Sequence, residues 1–213
     1  MPISLLGDNP LYFIAWIGAI LIALGTHEFA HAFIADKLGD DTAKFAGRLT
    51  LNPLAHVDWT GLLMLVLIGF GWGKPVPFNP YNLKYKKWGA TMVALAGPLA
   101  NLINIVIFGS LLKMVAIFTL LPINNLLVQF LNLLIIINAV LLVFNLIPIP
   151  PLDGSKLLFA LLDDSKYDNL KMKLQIQGPI ILIGLLLIDN LFNFGLFSTL
   201  FRSIIGFVYS IFL

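Results

Sequence analysis

Composition and the lengths of the apolar runs dictate a helical bundle built for a membrane. Apolar residues make up 59% of the chain and charged residues 11%, and the mean hydropathy is +0.95. Soluble domains carry about 25% charged residues. Three apolar runs, residues 11–38, 88–118 and 126–147, each exceed the ~20 helical residues needed to cross a bilayer core. Between them lie short segments dense in Gly and Pro. The expectation is an all-α membrane protein, a polytopic helical bundle of roughly five or six helical segments. It includes a re-entrant half-helix and short strand-like or hairpin segments, in a single domain spanning residues 1–213. A net charge of +2 is too small to suggest nucleic acid as a partner. Absence of cysteine excludes a disulfide framework and a thiolate metal site. The first residues, Met1-Pro2-Ile3-Ser4, carry no basic group, so the first apolar helix reads as a retained span rather than a cleaved signal.

The first helix, residues 11–38, is stopped by Asp36, Lys37 and Gly39-Asp40-Asp41. Within its apolar stretch sits His27-Glu28-Phe29-Ala30-His31. Residues i and i+4 share one helix face, so the two imidazoles can grip one ion from one side. Glu28 beside them can then serve a water held on that ion, the arrangement metal-assisted peptide hydrolysis needs. Ionisable groups inside a membrane helix are costly and by default functional. A satisfied histidine pair, or a pair gripping haem, would leave Glu28 without a task. Nine residues separate His27 from Asp36, roughly 14 Å of helix axis, which puts the site well inside the hydrocarbon layer.

Next, Arg48, Thr50 and Asn52 alternate with Leu49 and Leu51 in a period-two strand pattern closed by Pro53. Residues 61–70 are apolar but too few to cross, hence a re-entrant or buried half-helix. Residues 71–80 hold Pro75, Pro77 and Pro80 with Gly71 and Gly73, and so read as an extended edge or hairpin. Donors and carbonyls around Val76 and Phe78 are expected to receive an unwound substrate as an added strand. In the helix over 88–118, Ala96-Gly97-Pro98-Leu99-Ala100-Asn101 permits close packing and predicts a kink. Asn101 and Asn104 on it must find partners. The run over 126–147 ends in Asn145 and then Pro148, Pro150 and Pro151, which break the helix at membrane depth and deliver Asp153 into a cavity. Residues 156–173 read as interfacial, 178–188 as a further apolar run opened by Gly178-Pro179, and 194–213 as a last helix after a turn at Asp189, Asn190 and Asn193.

Eleven of the thirteen basic residues, all except Lys113 and Arg202, fall in three loops. Those loops share a side only if residues 61–70 do not cross. The positive-inside rule then makes that side cytoplasmic, the N-terminus outside, and the location the plasma or inner membrane.

A catalytic zinc takes three protein ligands and keeps one position for water. Two are His27 and His31. The third is Asp153 or His56, and a carboxylate at a forced helix break is the better placed of the two. Asp153 also suits a helix N-cap for the residues that follow, which does not exclude ligation. Asn145 and His56 are candidates for substrate contact or for stabilising an oxyanion. For each a local role competes: Asn145 as a cap of the broken helix, His56 as part of a turn marked by Asn52-Pro53 and Asp58.

These residues resemble a known family. His27-Glu28-x-x-His31, then Ala96-Gly97-Pro98-x-x-Asn101, then Asn145-x-x-Pro148-x-Pro150-x-Leu152-Asp153-Gly154 is similar to the site-2 protease family of intramembrane zinc metalloproteases. The likeness covers roughly residues 15–160. Leu51-Asn52-Pro53-x-x-His56-x-Asp58 with Gly73-Lys74-Pro75-Val76-Pro77 resembles its small bacterial and archaeal members. The resemblance implies a three-helix catalytic core over about 11–160, accessory helices over about 174–213, and one Zn2+ on His27, His31 and Asp153. It implies Glu28 as the base and transmembrane proteins in the lipid bilayer as substrates of regulated intramembrane proteolysis. This chain departs from larger relatives in having no helix before the motif helix, no insertion of PDZ size and no nucleotide-sensing domain. Substrate choice is therefore expected to rest on the membrane domain, on a second copy or on a regulatory membrane partner. The rival classes are a zinc-binding or zinc-transporting membrane protein without proteolysis, which would favour further His or Asp groups along a path, and an inactive scaffold.

Overall fold

The computed structural model describes residues 3–118 and 121–212. Met1 and Pro2, read above as part of an uncleaved start, and Leu213, the expected end of the last helix, lie outside them. The described secondary structure is helical throughout. The α-helices are α1 Ser4–Asp8, α2 Pro10–Lys37, α3 Thr42–Phe45, α4 Trp59–Ile68, α5 Gly89–Phe118, α6 Leu126–Asn145, α7 Gly154–Leu161, α8 Asp168–Leu191 and α9 Leu196–Phe212, with 3-10 turns at Pro53–His56 and Ser165–Tyr167. By length and hydropathy, α2, α5, α6 and the stretch Ser165–Leu191 can each cross a membrane; α4 and α9 are shorter apolar helices. The chain is a multi-pass helical membrane protein.

α2, α5 and α6 pack on one another and form the centre. Ala19, Ile105, Leu112, Leu131, Leu134, Ile135 and Ala139 fill it, and Val208 of α9 closes one side. Alanine on α2 lets the helices approach closely, which is how helices associate where lipid removes the usual hydrophobic drive. Large apolar side chains also face outward, among them Ile14, Ile103, Ile117 and Ile180. In water this would be a liability; in a bilayer it is the solvent match. α2 starts cleanly because Asn9 accepts from the Tyr12 amide at 3.1 Å and Pro10 occupies the first turn. α5 continues through Pro98 without a break in its helical assignment.

The half-helix is α4. Asp58 caps it by accepting from the Thr60 and Gly61 amides at 2.9 and 3.0 Å, and Gly69 ends it at φ 80°. The chain then doubles back, so that the Trp72 carbonyl lies against Gly61 in the first turn of α4. Entry and exit of this segment are thus side by side.

Two expectations are corrected. No strand pairing occurs among the described residues, so neither residues 48–52 nor 71–80 form a strand or hairpin. Alternation at 48–52 has no neighbouring strand to pair with, and the Thr50 carbonyl is taken by His56 Nε2 at 2.9 Å. Residues 71–79 are extended, but they run alongside α2 as a strap. Gly73 sits against Leu24, the Val76 amide donates to Glu28 Oε2 at 3.1 Å, and the Asn79 amide donates to Asp40 Oδ2 at 2.6 Å. The Lys74 amide donates to the His56 carbonyl at 2.9 Å, and the nearly buried Arg48 guanidinium donates to the Lys74 carbonyl. Pro75 and Pro77 have no amide to offer. The Val76 donor is therefore committed to Glu28 and is not available to add a substrate strand. The second correction concerns residues 156–191. α8 begins at Asp168 and runs through Gly178-Pro179 instead of opening there. Leu, Lys, Met and Gln over 170–177 are strong helix formers and carry the polar turns into the apolar ones.

Asp40 anchors the far end of the strap. It is fully buried and accepts from Thr42, from the Asn79 amide and from Asn82 Nδ2 at 2.9 Å. Burial pushes its carboxyl up, but these donors together hold it below the usual carboxylate range.

Candidate metal centre

His27 and His31 lie one turn apart on α2, both buried, with their Nε2 atoms 3.0 Å apart. Each ring is pinned at its other nitrogen. His31 Nδ1 sits 2.7 Å from the Val93 carbonyl, and His27 Nδ1 2.6 Å from Asn101 Oδ1. A carbonyl only accepts, so His31 Nδ1 carries the proton and its Nε2 presents a lone pair.

Asp153 arrives from the broken backbone after α6. Its Oδ2 lies 3.2 Å from His27 Nε2 and 3.3 Å from His31 Nε2. Although Asp153 precedes α7 at the N-cap position, its side chain makes no capping bond. α7 is held instead by Thr91 of α5, whose hydroxyl donates to the Lys156 carbonyl at 3.0 Å. Asp153 Oδ2 is buried and has no hydrogen-bond donor. With both imidazoles neutral, three electron-rich atoms converging at such distances repel unless a cation sits among them. Gly97 of α5 provides the space: a Cβ there would stand 2.5 Å from His27 Cε1 and from His31 Nε2. The site thus fits a metal ion in its donors and in its cradle. Two imidazoles, one carboxylate and room beside them are the donor set of a catalytic zinc site rather than a closed structural one. Among the described residues, this is the one group of three or more His, Asp or Glu side chains that could hold an ion.

The ligand side opens on a cavity of about 220 Å³ lined by Glu28, Asn145, Lys156, Pro75, Val76 and Phe78, among others. Glu28 is 9% exposed and faces the cavity with one oxygen tied to the strap. Asn145 also lines it, and its Nδ2 donates to the Leu141 carbonyl at 3.0 Å. His56 is not brought to the centre. It is fully buried, its ring bonds the Thr50 carbonyl, and its own carbonyl holds the strap at Lys74. Of the residues singled out in the sequence for substrate or chemistry, seven meet at this cavity, namely His27, Glu28, His31, Val76, Phe78, Asn145 and Asp153. Three others that shape the site were not singled out for it. In the sequence Arg48 reads as part of a strand pattern and a basic loop and Asp40 as part of a helix stop, and Asn138 of α6 has no assigned role. The signal for Asn138 was available, since it lies two helical turns before Asn145 on the same face.

Residues 108–188, a stretch that includes Asn145 and Asp153, match the model of peptidase family M50. Among curated proteins, one named "Putative zinc metalloprotease YwhC" from Bacillus subtilis is 41% identical over 142 residues, 65% of this chain and 65% of that protein. The Rip2 proteins of Mycolicibacterium smegmatis and Mycobacterium tuberculosis, named likewise as zinc metalloproteases of the putative kind, are 35% and 34% identical, over 72% and 67% of this chain and 58% and 55% of theirs. The chain thus spans less than two thirds of the length of these relatives. No solved structure matches it. On the family model and these relatives together, the chain resembles the zinc metalloproteases of peptidase family M50.

Proposed function

We propose that residues 1–213 act as one membrane protease domain, hydrolysing peptide bonds within or next to transmembrane segments of membrane proteins. The core lies over about 11–160 and accessory helices over about 174–213. His27, His31 and Asp153 hold one Zn2+, and Glu28 is the base. The observation that carries this reading is the convergence of three lone-pair donors at 3.0–3.3 Å with a carboxylate on the same cavity wall. The names of the curated relatives point the same way.

When bound, the ion supplies Lewis acidity at the open position. Glu28 has one oxygen held by the Val76 amide, which aims the other at the cavity to take a proton and later return it to the leaving amine. Asn145 spends one amide N–H on Leu141; its second N–H is the donor for a substrate carbonyl or the oxyanion. His56 supports the strap that holds Glu28. Lys156 and the strap residues bound the channel by which an unwound substrate segment and water arrive.

The basic loops are cytoplasmic and the N-terminus is outside, in the plasma or inner membrane. Because the chain has no cysteine, Phe45→Cys and Tyr81→Cys, both positions 86% exposed, can be labelled singly in sealed cells. Both should react only after the cytoplasmic face is opened. Labelling of the two from opposite faces would refute the half-helix orientation.

The function itself is tested with purified protein in vesicles and a transmembrane reporter peptide. Stripping zinc with a chelator should stop cleavage, and restoring zinc should recover it. Undiminished cleavage at zero zinc content would refute the metalloprotease reading. Zinc crossing the vesicle wall without peptide products would favour the transport class.

A further inference from the structure

We propose that Asn138, in the middle of α6 and outside the cavity, is a positioning residue: acting through Asn101, it fixes which nitrogen of His27 faces the metal. This rests on the reading of His27 as a ligand. The argument begins at a backbone carbonyl. Asn138 is fully buried, and its Nδ2 donates to the Leu134 carbonyl at 2.7 Å. Which end of a side-chain amide is nitrogen is normally assigned rather than seen. Here the assignment has one solution, because a carbonyl can only accept.

With its nitrogen on Leu134, Asn138 must turn its oxygen the other way. That oxygen accepts from Asn101 Nδ2 at 2.9 Å and from Asn104 Nδ2 at 3.0 Å. The second arm is fixed from its far end as well. Thr26 spends its hydroxyl proton on the Ile22 carbonyl at 2.9 Å, and its oxygen accepts from Asn104 at 2.7 Å. Asn101, also fully buried, makes a further contact from Nδ2 to the Ala23 carbonyl, at a long 3.4 Å. Its oxygen is therefore left for His27 Nδ1, 2.6 Å away. An acceptor there demands N–H at Nδ1, which places the lone pair at Nε2, toward His31 and Asp153.

Turning the Asn101 amide over would reverse this. An NH2 group facing His27 would favour an acceptor at Nδ1 and put the proton on Nε2, pointing into the ion's place. Asn138 is the group that keeps Asn101 from turning, because removing it leaves only the 3.4 Å contact. Metal ligands commonly depend on such outer partners, whose loss costs about 10–100-fold in metal affinity.

The test measures zinc affinity by chelator competition, with zinc alone as the probe. Asn138→Leu should weaken binding by about 10–100-fold. Asn104→Leu deletes a bond to the same oxygen but leaves the Asn101 arm intact, and should stay within about threefold of wild type. A carboxylate offers only acceptors, so Asn101→Asp added to Asn138→Leu should restore tight binding. A role in packing alone would not be rescued that way. Equal affinity in Asn138→Leu and wild type, or a double variant as weak as the single one, would overturn the proposal. The metal-free wild type gives a measurement that needs no variant to fold. The 15N shifts of the His27 ring should report the proton on Nδ1, and an Nδ1 without a proton would overturn the relay. Wild type that binds no zinc would instead overturn the metal-site reading, and the relay with it.

Discussion

Glu28→Gln is expected to lower the cleavage rate by about 10²–10⁴-fold, the range a positioned general base supplies, while zinc content stays at the wild-type level. Glutamine keeps the size of the side chain. It also keeps an oxygen that can accept the Val76 amide, so the strap has no reason to move. What is lost is the ability to take and return a proton. His27, His31 and Asp153 are untouched, and none of them depends on Glu28 for its contacts with the others. The check pairs a cleavage assay in vesicles with metal analysis of the same sample. Turnover near that of wild type would remove Glu28 from the chemistry. Normal folding with loss of zinc would show that Glu28 helps hold the ion.

The long helices were legible because lipid rewards an apolar surface all round. α2, α5 and α6 have bounds within about two residues of the apolar runs, the usual uncertainty at helix ends. The half-helix was legible from its length alone. The strand pattern at 48–52 misled because period two is informative only when a neighbouring strand exists. Here Arg48 reaches Lys74, Thr50 serves His56, and Asn52 caps the turn that follows. The unbroken α8 was hidden by Gly178-Pro179, a pair that usually opens or closes a helix. Gly178 instead lies against Pro150, where any side chain would collide with the carbonyl.

At the site, His27, Glu28 and His31 were legible from local spacing, and the prolines after Asn145 announced that something polar must line a cavity. Spacing along the chain leaves both Asp153 and His56 open as partners of the pair, since both sit in turns. The structure brings Asp153 to the two imidazoles and points the His56 ring at Thr50. The strap shows the limit most clearly. Its prolines said it was extended, but not that the Val76 amide is already spent on Glu28. Hydrogen bonds that span dozens of residues leave no periodic trace in a sequence.

Gly97→Ala is expected to weaken zinc binding by more than about 100-fold, beyond the range of outer-partner losses, without loss of helix. Local propensity argues the other way, since alanine in a helix interior is favoured over glycine by about 1 kcal/mol. Read without its neighbours, the substitution should therefore stabilise α5. Its neighbours decide the outcome. The new methyl would lie 2.5 Å from His27 Cε1 and His31 Nε2 and 2.6 Å from His27 Nε2. Neither ring can easily give way, since His27 is held at Asn101 and His31 at the Val93 carbonyl. The methyl also crowds the point where the three ligand atoms converge, so a ring that did move would still leave less room for an ion. Helix content by circular dichroism should match wild type, while chelator competition should show the loss of zinc affinity and the vesicle assay the loss of cleavage. If Gly97→Ala instead bound zinc as tightly as wild type, the ion could not sit among His27, His31 and Asp153 as placed here. The small residue would then serve helix packing alone.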